Sequence, residues 1–231
     1  MKMEIVKGNI LNVKASALVL PANTGLHEGS GVSTAIFEAS GRKELTEACR
    51  KLGGCEEGKA VATLAFDLDA DYIIHAVVPK WEDGQHGEYE RLCTAYLAGL
   101  KVADVMGIKS VAFPLLGSGN NGYDLEIALE IAVKSIGQFE GDNLKTVYLV
   151  IYGNRISKLV SEKGYEFSVV PDEYVAIKKE KKKVPNTDAL KIGLAKAGKV
   201  FANKENWMNM LEVAGAIVGL AVQIKKFTDG K

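Results

Sequence analysis

The sequence predicts an α/β protein with a mixed, mostly parallel sheet, followed by a C-terminal helical extension. Over the first 170 residues, short apolar runs alternate with segments of helical spacing, which is typical of strands connected by crossover helices. Gly41, Gly107 and Gly137 fall where helices are expected to end. The chain has 231 residues, of which 47% are hydrophobic, so it can bury a full core.

Six segments are predicted to be strands because they are short and rich in aliphatic and β-branched residues. In chain order they are MEIVKGNIL, ALVLPAN, KAVATLAF, DYIIHAVV, SVAFPLL and TVYLVIYG. The second, fourth, fifth and sixth are almost continuously apolar, which is typical of strands covered on both faces. MEIVKGNIL and KAVATLAF are predicted to lie nearer an edge of the sheet.

Four segments between these strands have apolar residues at helical spacing. They are VSTAIFEASG, RKELTEACRKLG, EYERLCTAYLAGLKVADVMG and LEIALEIAVKSIGQF. Strands that alternate with such helices indicate a layered sheet rather than a sandwich of strands.

The C-terminal quarter of the chain differs in charge from the rest. From Pro171 onward there are 12 Lys and 7 acidic residues, a net charge of +5, which leaves 17 basic and 22 acidic groups, a net charge of −5, for residues 1–170. KKEKKKVPNTD is predicted to be a linker, and two amphipathic patterns after it predict a helical hairpin. The predicted boundaries are 1–172 for the α/β domain, 173–187 for the linker and 188–228 for the helices.

Composition narrows the functional classes. The net charge of zero favours no particular partner. KKEKKK lacks arginine and interleaved aromatics, so a solvated linker is favoured over a nucleic-acid or membrane contact.

Three cysteines without CxxC spacing indicate reduced thiols, no zinc site and a cytoplasmic location. The longest apolar run, VAGAIVGLAV, is too short to span a bilayer. We expect no metal and no cofactor, and the hairpin is expected to form an oligomer or partner interface or to pack on the α/β domain.

Two glycine-rich loops follow predicted strands and precede predicted helices. HEGSGV follows ALVLP, and LLGSGNNGYD follows SVAFP. Glycines let backbone N–H groups approach a ligand, and a helix N-terminus adds free donors and partial positive charge, which together favour an anion. Neither loop has the lysine of a P-loop or the spacing GxGxxG. Two such loops without lysine or arginine therefore suggest a diphosphate held from both sides by backbone amides.

The segments quoted above resemble the macro domain family. The likeness runs in order through KGNI, ALVLPANTGLHEGSGVSTAIFEASG, IIHAVVPKW, EYERLCTAYLAGL, SVAFPLLGSGNNGY and TVYLVIYG, and covers roughly residues 1–170. Macro domains are three-layer α/β/α folds that bind ADP-ribose, and several members remove ADP-ribose from proteins or deacetylate O-acetyl-ADP-ribose. The resemblance implies ADP-ribose or an ADP-ribosylated macromolecule as the partner of this chain.

The resemblance also implies roles for particular residues. Asn9 stands where the family has an aspartate that accepts a hydrogen bond from the adenine amine, and Asn23 matches the asparagine that contacts the distal ribose. Tyr152 lies where an aromatic often stacks on the adenine. The implied ligand-binding residues are Asn9, Ile10, Asn23, Gly29, Ser30, Gly31, Val32, Gly117, Ser118, Gly119, Asn120, Asn121, Gly122 and Tyr152, with Asn23 also the catalytic candidate.

Three positions depart from the family pattern. Ser33 replaces the acidic residue of the hydrolase branch, Asn121 replaces an aromatic that faces the distal ribose, and Leu20 replaces the first asparagine of the NAAN motif. His27 and Glu28 are then the nearby groups able to do acid–base work, although both also suit solvated loop positions. Three hypotheses stay open: an ADP-ribosyl hydrolase or deacetylase, a non-catalytic reader acting through the C-terminal helices, and a chiefly structural protein. Ser33 and Asn121 favour the reader, and Asn23 keeps the enzyme open.

Other polar and aromatic residues are predicted to be structural. His75 lies within an apolar strand and is expected to be buried. Trp81 and Tyr89 are assigned to packing, and the three cysteines to the core. Asn120 and Asn121 suit either a ribose contact or the shaping of their own loop.

Overall fold

The computed structural model describes residues 1–174, which form a seven-stranded sheet with the order β3-β4-β2-β5-β6-β1-β7. β3 runs antiparallel to β4, and the other neighbouring strands run parallel. The predicted mixed, mostly parallel sheet is confirmed. The strands are β1 (Lys2–Lys7), β2 (Ala17–Ala22), β3 (Ala60–Leu64), β4 (Tyr72–Val77), β5 (Ser110–Pro114), β6 (Thr146–Ile151) and β7 (Ser168–Val169).

Helices cover both faces of the sheet and give three layers. Along β2, Ala17 and Val19 point into one core cluster, while Leu18 and Leu20 point into the other. The period-two alternation of a strand thus serves two cores, which explains why the central strands are apolar throughout. The first cluster contains residues of α3 (Glu88–Val105), α4 (Leu125–Gly137) and α5 (Asn154–Glu162), and the second contains residues of α1 (Val32–Ser40) and α2 (Arg42–Leu52).

The structure adds three elements that the sequence did not predict. These are α5, the edge strand β7 and a short 3-10 helix, Ile10–Asn12. The 3-10 helix replaces the end of the predicted strand MEIVKGNIL. Gly8 breaks that strand because it has a φ of 134°, and a Cβ there would lie 2.2 Å from the carbonyl oxygen of Val170.

The predicted C-terminal helical hairpin and most of the predicted linker lie outside the described residues. The domain boundaries at 172 and 187 therefore stay predictions. Within residues 1–174, none of the helices has both the length and the apolar character needed to cross a bilayer.

The topology brings the two glycine loops to the same edge of the sheet. β2 and β5 are parallel neighbours, with Ala17 opposite Val111 and Leu18 opposite Ala112. Their carboxyl ends therefore lie side by side. We call residues 23–31, which connect β2 to α1, the first glycine loop, and residues 115–124, which connect β5 to α4, the second glycine loop.

Candidate functional site

The two glycine loops are joined by a side-chain hydrogen bond. The Nδ2 of Asn120 in the second loop donates to the Oγ of Ser30 in the first, over 2.6 Å, and both side chains are exposed. The sequence placed these loops at equivalent strand ends, and the structure brings them into contact.

Asn23 closes the first loop on itself. Its Oδ1 accepts from the backbone N–H of His27 at 3.0 Å, and its Nδ2 donates to the His27 carbonyl at 2.9 Å. Within this turn Leu26 is buried and has a φ of 56°, which is unusual for a residue with a side chain. A carboxamide has two N–H groups and two lone pairs on oxygen. Asn23 therefore keeps one donor and one acceptor for a ligand while it holds the turn.

The N-terminus of α1 is open. Gly31 occupies the N-cap position with a φ of 61°, and none of the described side chains caps this helix end. A Cβ built on Gly31 would meet nothing within 4 Å. The first N–H groups of a helix have no partner within the helix, so an uncapped start offers donors and partial positive charge to an anion.

The side chain of Ser33 holds the first loop by a hydrogen bond to its backbone. It is buried, and its Oγ accepts from the backbone N–H of Gly29 at 3.0 Å. Thr34 supports the same residue by donating from Oγ1 to the Gly29 carbonyl at 2.7 Å. At the position of the hydrolase branch's acidic residue, this chain therefore has a hydroxyl that holds the glycine loop.

The acid–base candidates of the first loop differ in their surroundings. Glu28 forms an ion pair with Arg42, with 2.8 Å between Oε2 and Nε, and Arg42 also pairs with Glu38. His27 is exposed, and its ring lies against Gly25, where a Cβ would be 2.7 Å from it. The ion pair occupies the Glu28 carboxylate, which would have to take up a proton if it acted as a base.

The second loop rests on the core. The backbone N–H of Leu116 donates to the hydroxyl of the fully buried Tyr96 at 2.9 Å. Gly117 has a φ of 83°, and a Cβ there would lie 2.8 Å from Cδ2 of Tyr123 and 3.1 Å from Cδ2 of Leu92. Both the backbone angle and the close packing require a glycine.

Two polar side chains of the second loop donate hydrogen bonds to backbone carbonyls. Asn121 donates from Nδ2 to the carbonyls of Val78 and Pro79 at 3.1 and 2.9 Å, and Ser118 donates to the Leu115 carbonyl at 2.7 Å. Asn121 is half-buried and fastens the loop to the β4–α3 connection. The sequence left Asn121 as either a ribose contact or a residue that shapes its loop, and its described contacts are of the second kind.

The N-terminus of α4, beyond the second loop, carries its own cap. Asp124 accepts from the backbone N–H of Glu126 at 2.8 Å, and Glu126 adds a second carboxylate in the first turn. These charges offset the partial positive charge of the helix start. An anion between the loops would therefore meet the open end of α1 but only the backbone of the second loop.

The 3-10 helix after β1 is held by the end of the described chain. Asn9 accepts from the N–H of Leu11 at 3.0 Å and donates from Nδ2 to the Asp172 carbonyl at 3.1 Å. Asn12 donates to the carbonyls of Pro171 and Glu173 at 2.7 and 2.9 Å. An aspartate at position 9 could not donate to Asp172, so the asparagine suits this chain's own contact.

Ile10 and Tyr152 flank the same corner of the sheet but differ in exposure. The side chain of Ile10 is buried in the second core cluster, so any ligand contact there would use its backbone. Tyr152 directly follows β6 and is 69% exposed. An exposed aromatic at a strand end can stack on a planar base.

Sequence reasoning missed Glu88. This fully buried carboxylate accepts from the backbone N–H groups of Glu82, Asp83, Gly84 and His86. Burial raises its pKa, but the backbone N–H groups of Glu88 itself, Gly84, Asp83 and His86 lower the pKa of Glu88 to about 2. One ligand atom each of Asp83, His86 and Glu88 lies within 4.8 Å of the others. The oxygens of Glu88 already accept hydrogen bonds from backbone N–H groups. We therefore interpret the cluster as a structural one that fixes the β4–α3 connection.

His75 is buried, as the sequence predicted. Its Nε2 lies 2.9 Å from the Oγ1 of Thr63, and Cys49 Sγ is 4.0 Å from its ring nitrogens. Burial lowers the pKa of His75 to about 4 and raises the pKa of Cys49 to about 12. A neutral imidazole and a protonated thiol form a packed core contact.

The fold defines a three-layer α/β/α protein in which two glycine loops meet at the carboxyl ends of its parallel strands. The family model described as Macro domain matches residues 19–132. A macro domain-containing protein of Caldanaerobacter subterraneus subsp. tengcongensis is 40% identical over 169 residues, which cover 71% of this chain and 96% of that protein. The chain belongs to the macro domain family.

Other relatives carry more specific names. An O-acetyl-ADP-ribose deacetylase of Escherichia fergusonii is 39% identical over 164 residues, covering 68% of this chain and 92% of that enzyme. The Oceanobacillus iheyensis macrodomain solved with ADPR has a TM-score of 0.65 and 31% identity, over 70% of this chain and 90% of that one. The Trypanosoma brucei macrodomain in complex with ADP-ribose has a TM-score of 0.64 and 27% identity, over 70% of this chain and 68% of that one.

Proposed function

We propose that this protein binds ADP-ribose or an ADP-ribose derivative, with the diphosphate between the two glycine loops. The observation that carries the proposal is the contact between Ser30 and Asn120, which brings both loops together next to the open N-terminus of α1. Relatives of this chain with the same fold are described with bound ADPR and ADP-ribose, which supports the choice of ligand.

The diphosphate is the part of the ligand that the loops would hold most strongly. Backbone N–H groups of Ser30–Val32 and of residues 117–121 would donate to the phosphate oxygens, because those of Gly29 and Gly122 already bond within their own loops. Hydrogen bonds to a charged acceptor contribute about 1.5–3 kcal/mol each, roughly twice as much as neutral ones. The N-terminus of α1 at Gly31 adds a partial positive charge that attracts the diphosphate. Neither loop has a lysine or arginine that would form an ion pair with it.

The nucleobase and the distal ribose would lie on opposite sides of the diphosphate. We assign the base to the corner formed by Asn9, the backbone of Ile10 and the exposed ring of Tyr152. The distal ribose would contact the donor and acceptor that Asn23 keeps free of its turn. Because Asn9 is neutral, its acceptance of the adenine amine lacks charge assistance.

Calorimetric titration of the full chain with ADP-ribose, ADP and adenosine tests this proposal. We expect saturable binding of ADP-ribose and ADP, and much weaker binding of adenosine, because the loops contribute only when a diphosphate is present. ADP-ribose without measurable saturation in the millimolar range would refute the proposal. Equal affinity for ADP-ribose and adenosine would refute the diphosphate assignment.

A second candidate is hydrolysis of an ADP-ribosyl or O-acetyl-ADP-ribose linkage. The name of the Escherichia fergusonii relative favours the ester. Water would attack the acetyl carbonyl carbon, the bond to the ribose oxygen would break, and acetate and ADP-ribose would be released. With Glu28 paired to Arg42 and Ser33 buried, the diphosphate of the substrate would orient the water, while Asn23 positions the ribose.

Release of acetate from O-acetyl-ADP-ribose separates this enzyme from a reader acting through the C-terminal helices. A deacetylase predicts release by the wild-type chain that falls at least about 10-fold in Asn23→Ala. Asn143→Ala is the matched control, because it makes the same substitution in the connection between α4 and β6, where Asn143 donates to the Asp104 carbonyl. If wild-type and Asn23→Ala samples release acetate equally slowly while both bind ADP-ribose, the reader is the better description.

A further inference from the structure

The hydrogen bond between the glycine loops differs from the other polar contacts that these loops make. Ser33 bonds to Gly29, and Ser118 bonds to Leu115, each within its own loop region. Asn121 fastens the second loop to the β4–α3 connection. The contact from Asn120 to Ser30, at 2.6 Å, instead crosses from one loop to the other. It spans 90 positions of sequence, so the two side chains meet only in the folded protein.

The chemistry of the bridge leaves one donor available. A serine hydroxyl has one O–H donor and two acceptor lone pairs. Because Asn120 donates into one lone pair of Ser30, the O–H of Ser30 remains free to donate elsewhere. A hydroxyl that accepts one hydrogen bond becomes a stronger donor, since bonds in a chain polarise one another.

The position of Ser30 points the available donor towards an anion. Gly29 and Gly31 flank it, and α1 begins just after Gly31 with an uncapped N-terminus. An alanine or glycine at position 30 would leave the backbone of the loop intact but would remove both the bridge and the donor. Both side chains are exposed, so the bridge does not fill the core.

We propose that Ser30 and Asn120 form a clasp that holds the diphosphate. Ser30 donates its O–H to a phosphate oxygen, and Asn120 orients Ser30 while it ties the loops together. The proposal rests on the binding function proposed above and deepens it, because it names a side chain that contacts the diphosphate and a second that positions the first. The clasp therefore discriminates diphosphate ligands from nucleosides.

A double-mutant cycle on the full chain tests the clasp. Affinities for ADP-ribose and adenosine are measured for wild type, Ser30→Ala, Asn120→Ala and the double variant. We expect Ser30→Ala to weaken ADP-ribose binding about 10-fold, the loss of one charge-assisted hydrogen bond. Asn120→Ala should weaken it about threefold, and the double variant no more than Ser30→Ala, since Asn120 acts through Ser30. Adenosine affinity should be unchanged throughout.

A second measurement is independent of affinity. The side-chain amide protons of Asn120 are followed by NMR in the free wild-type chain and in Ser30→Ala, and the clasp predicts that their chemical shifts move when the hydroxyl is removed. Ser161→Ala serves as the control, because it removes a serine hydroxyl from α5, where the hydroxyl donates to the Ser157 carbonyl. Shifts that are the same in wild type and Ser30→Ala would overturn the clasp.

The outcomes are distinct. If wild type binds neither ADP-ribose nor ADP, the binding function fails and the clasp falls with it. If wild type binds ADP-ribose but the single effects multiply in the double variant, the function stands and the clasp is wrong. A gain in ADP-ribose affinity in Ser30→Ala would also overturn the clasp, because it would mean that the bridge obstructs the ligand.

Discussion

The two glycine loops have similar sequences but are supported in different ways. The second loop is built into the core, since Gly117 lies against Tyr123 and Leu92, and the N–H of Leu116 bonds to Tyr96. The first loop is held by its own residues, through Asn23 and Ser33. A methyl group added at Gly31 would meet nothing within 4 Å. A substitution at the open Gly31 should therefore affect binding, and one at the packed Gly117 should affect folding.

The largest expected effect is the loss of binding in Gly31→Glu. A carboxylate next to the diphosphate repels it, and such like-charge contacts cost several kcal/mol, so ADP-ribose affinity should fall about 1,000-fold. Gly31→Ala is the matched control, because it has the same strain at a φ of 61° but no charge. Calorimetry measures affinity and thermal unfolding monitors the fold. Unchanged affinity in Gly31→Glu would remove the first loop from the site.

The next largest effect is on folding, in Gly117→Ala. The added methyl would lie 2.8 Å from Tyr123, at a φ of 83°. Overpacking and left-handed strain together should lower the free energy of unfolding by about 2–4 kcal/mol. Gly119→Ala, where nothing lies within 4 Å, should change it by less than about 1 kcal/mol. Urea denaturation compares the two, and equal losses would contradict the asymmetry between the loops.

The pH dependence should separate folding from binding. The pKa of His75 is lowered to about 4 in the folded chain, against about 6.5 when it unfolds, so the unfolded state takes up the proton first. Stability is then complete above about pH 6.5 and falls as pH drops towards 4, by on the order of 2 kcal/mol at pH 5. Backbone amides do not titrate in this range, so the affinity of the folded chain should stay constant. An NMR titration of the His75 ring gives its pKa directly, and a value near its ordinary one would contradict this expectation.

The smallest effect concerns the helix that follows the second loop. Asp124→Ala removes the cap of α4 and should lower the free energy of unfolding by about 1 kcal/mol. Asp124→Asn preserves an N-cap acceptor and should change it by a few tenths of that amount. The comparison by urea denaturation shows whether α4 depends on a side-chain cap that α1 lacks. Equal losses in both variants would mean that the charge matters and the hydrogen bond does not.

Most of the fold could be predicted because local pattern and topology agree. Apolar runs predicted the six principal strands, and helical spacing predicted four helices. β7 has two residues with exposed side chains, so it leaves no hydrophobic pattern. The 3-10 helix after β1 depends on Asn9 and Asn12 meeting residues 171–173, which are so distant in the chain that no local signal encodes the contact.

The site was predicted less completely than the fold. The glycine loops and Asn23 could be proposed from the sequence, because two glycine-rich loops follow strands at equivalent positions. The contacts of Ser30 and Asn121 were not, because they depend on which loops become neighbours. Glu88 was missed because an acidic residue at the start of a helix is common, and only the folded chain shows four N–H groups converging on it.

The central claim is that both glycine loops hold one diphosphate. Backbone amide chemical shifts of the full chain, titrated in parallel with ADP-ribose and adenosine, test it most directly. We expect ADP-ribose to shift the amides of Gly29–Val32 and of residues 117–122 together, with a single dissociation constant, whereas adenosine shifts neither loop. ADP-ribose shifts confined to one loop, or shifts of both loops with adenosine alone, would contradict the claim.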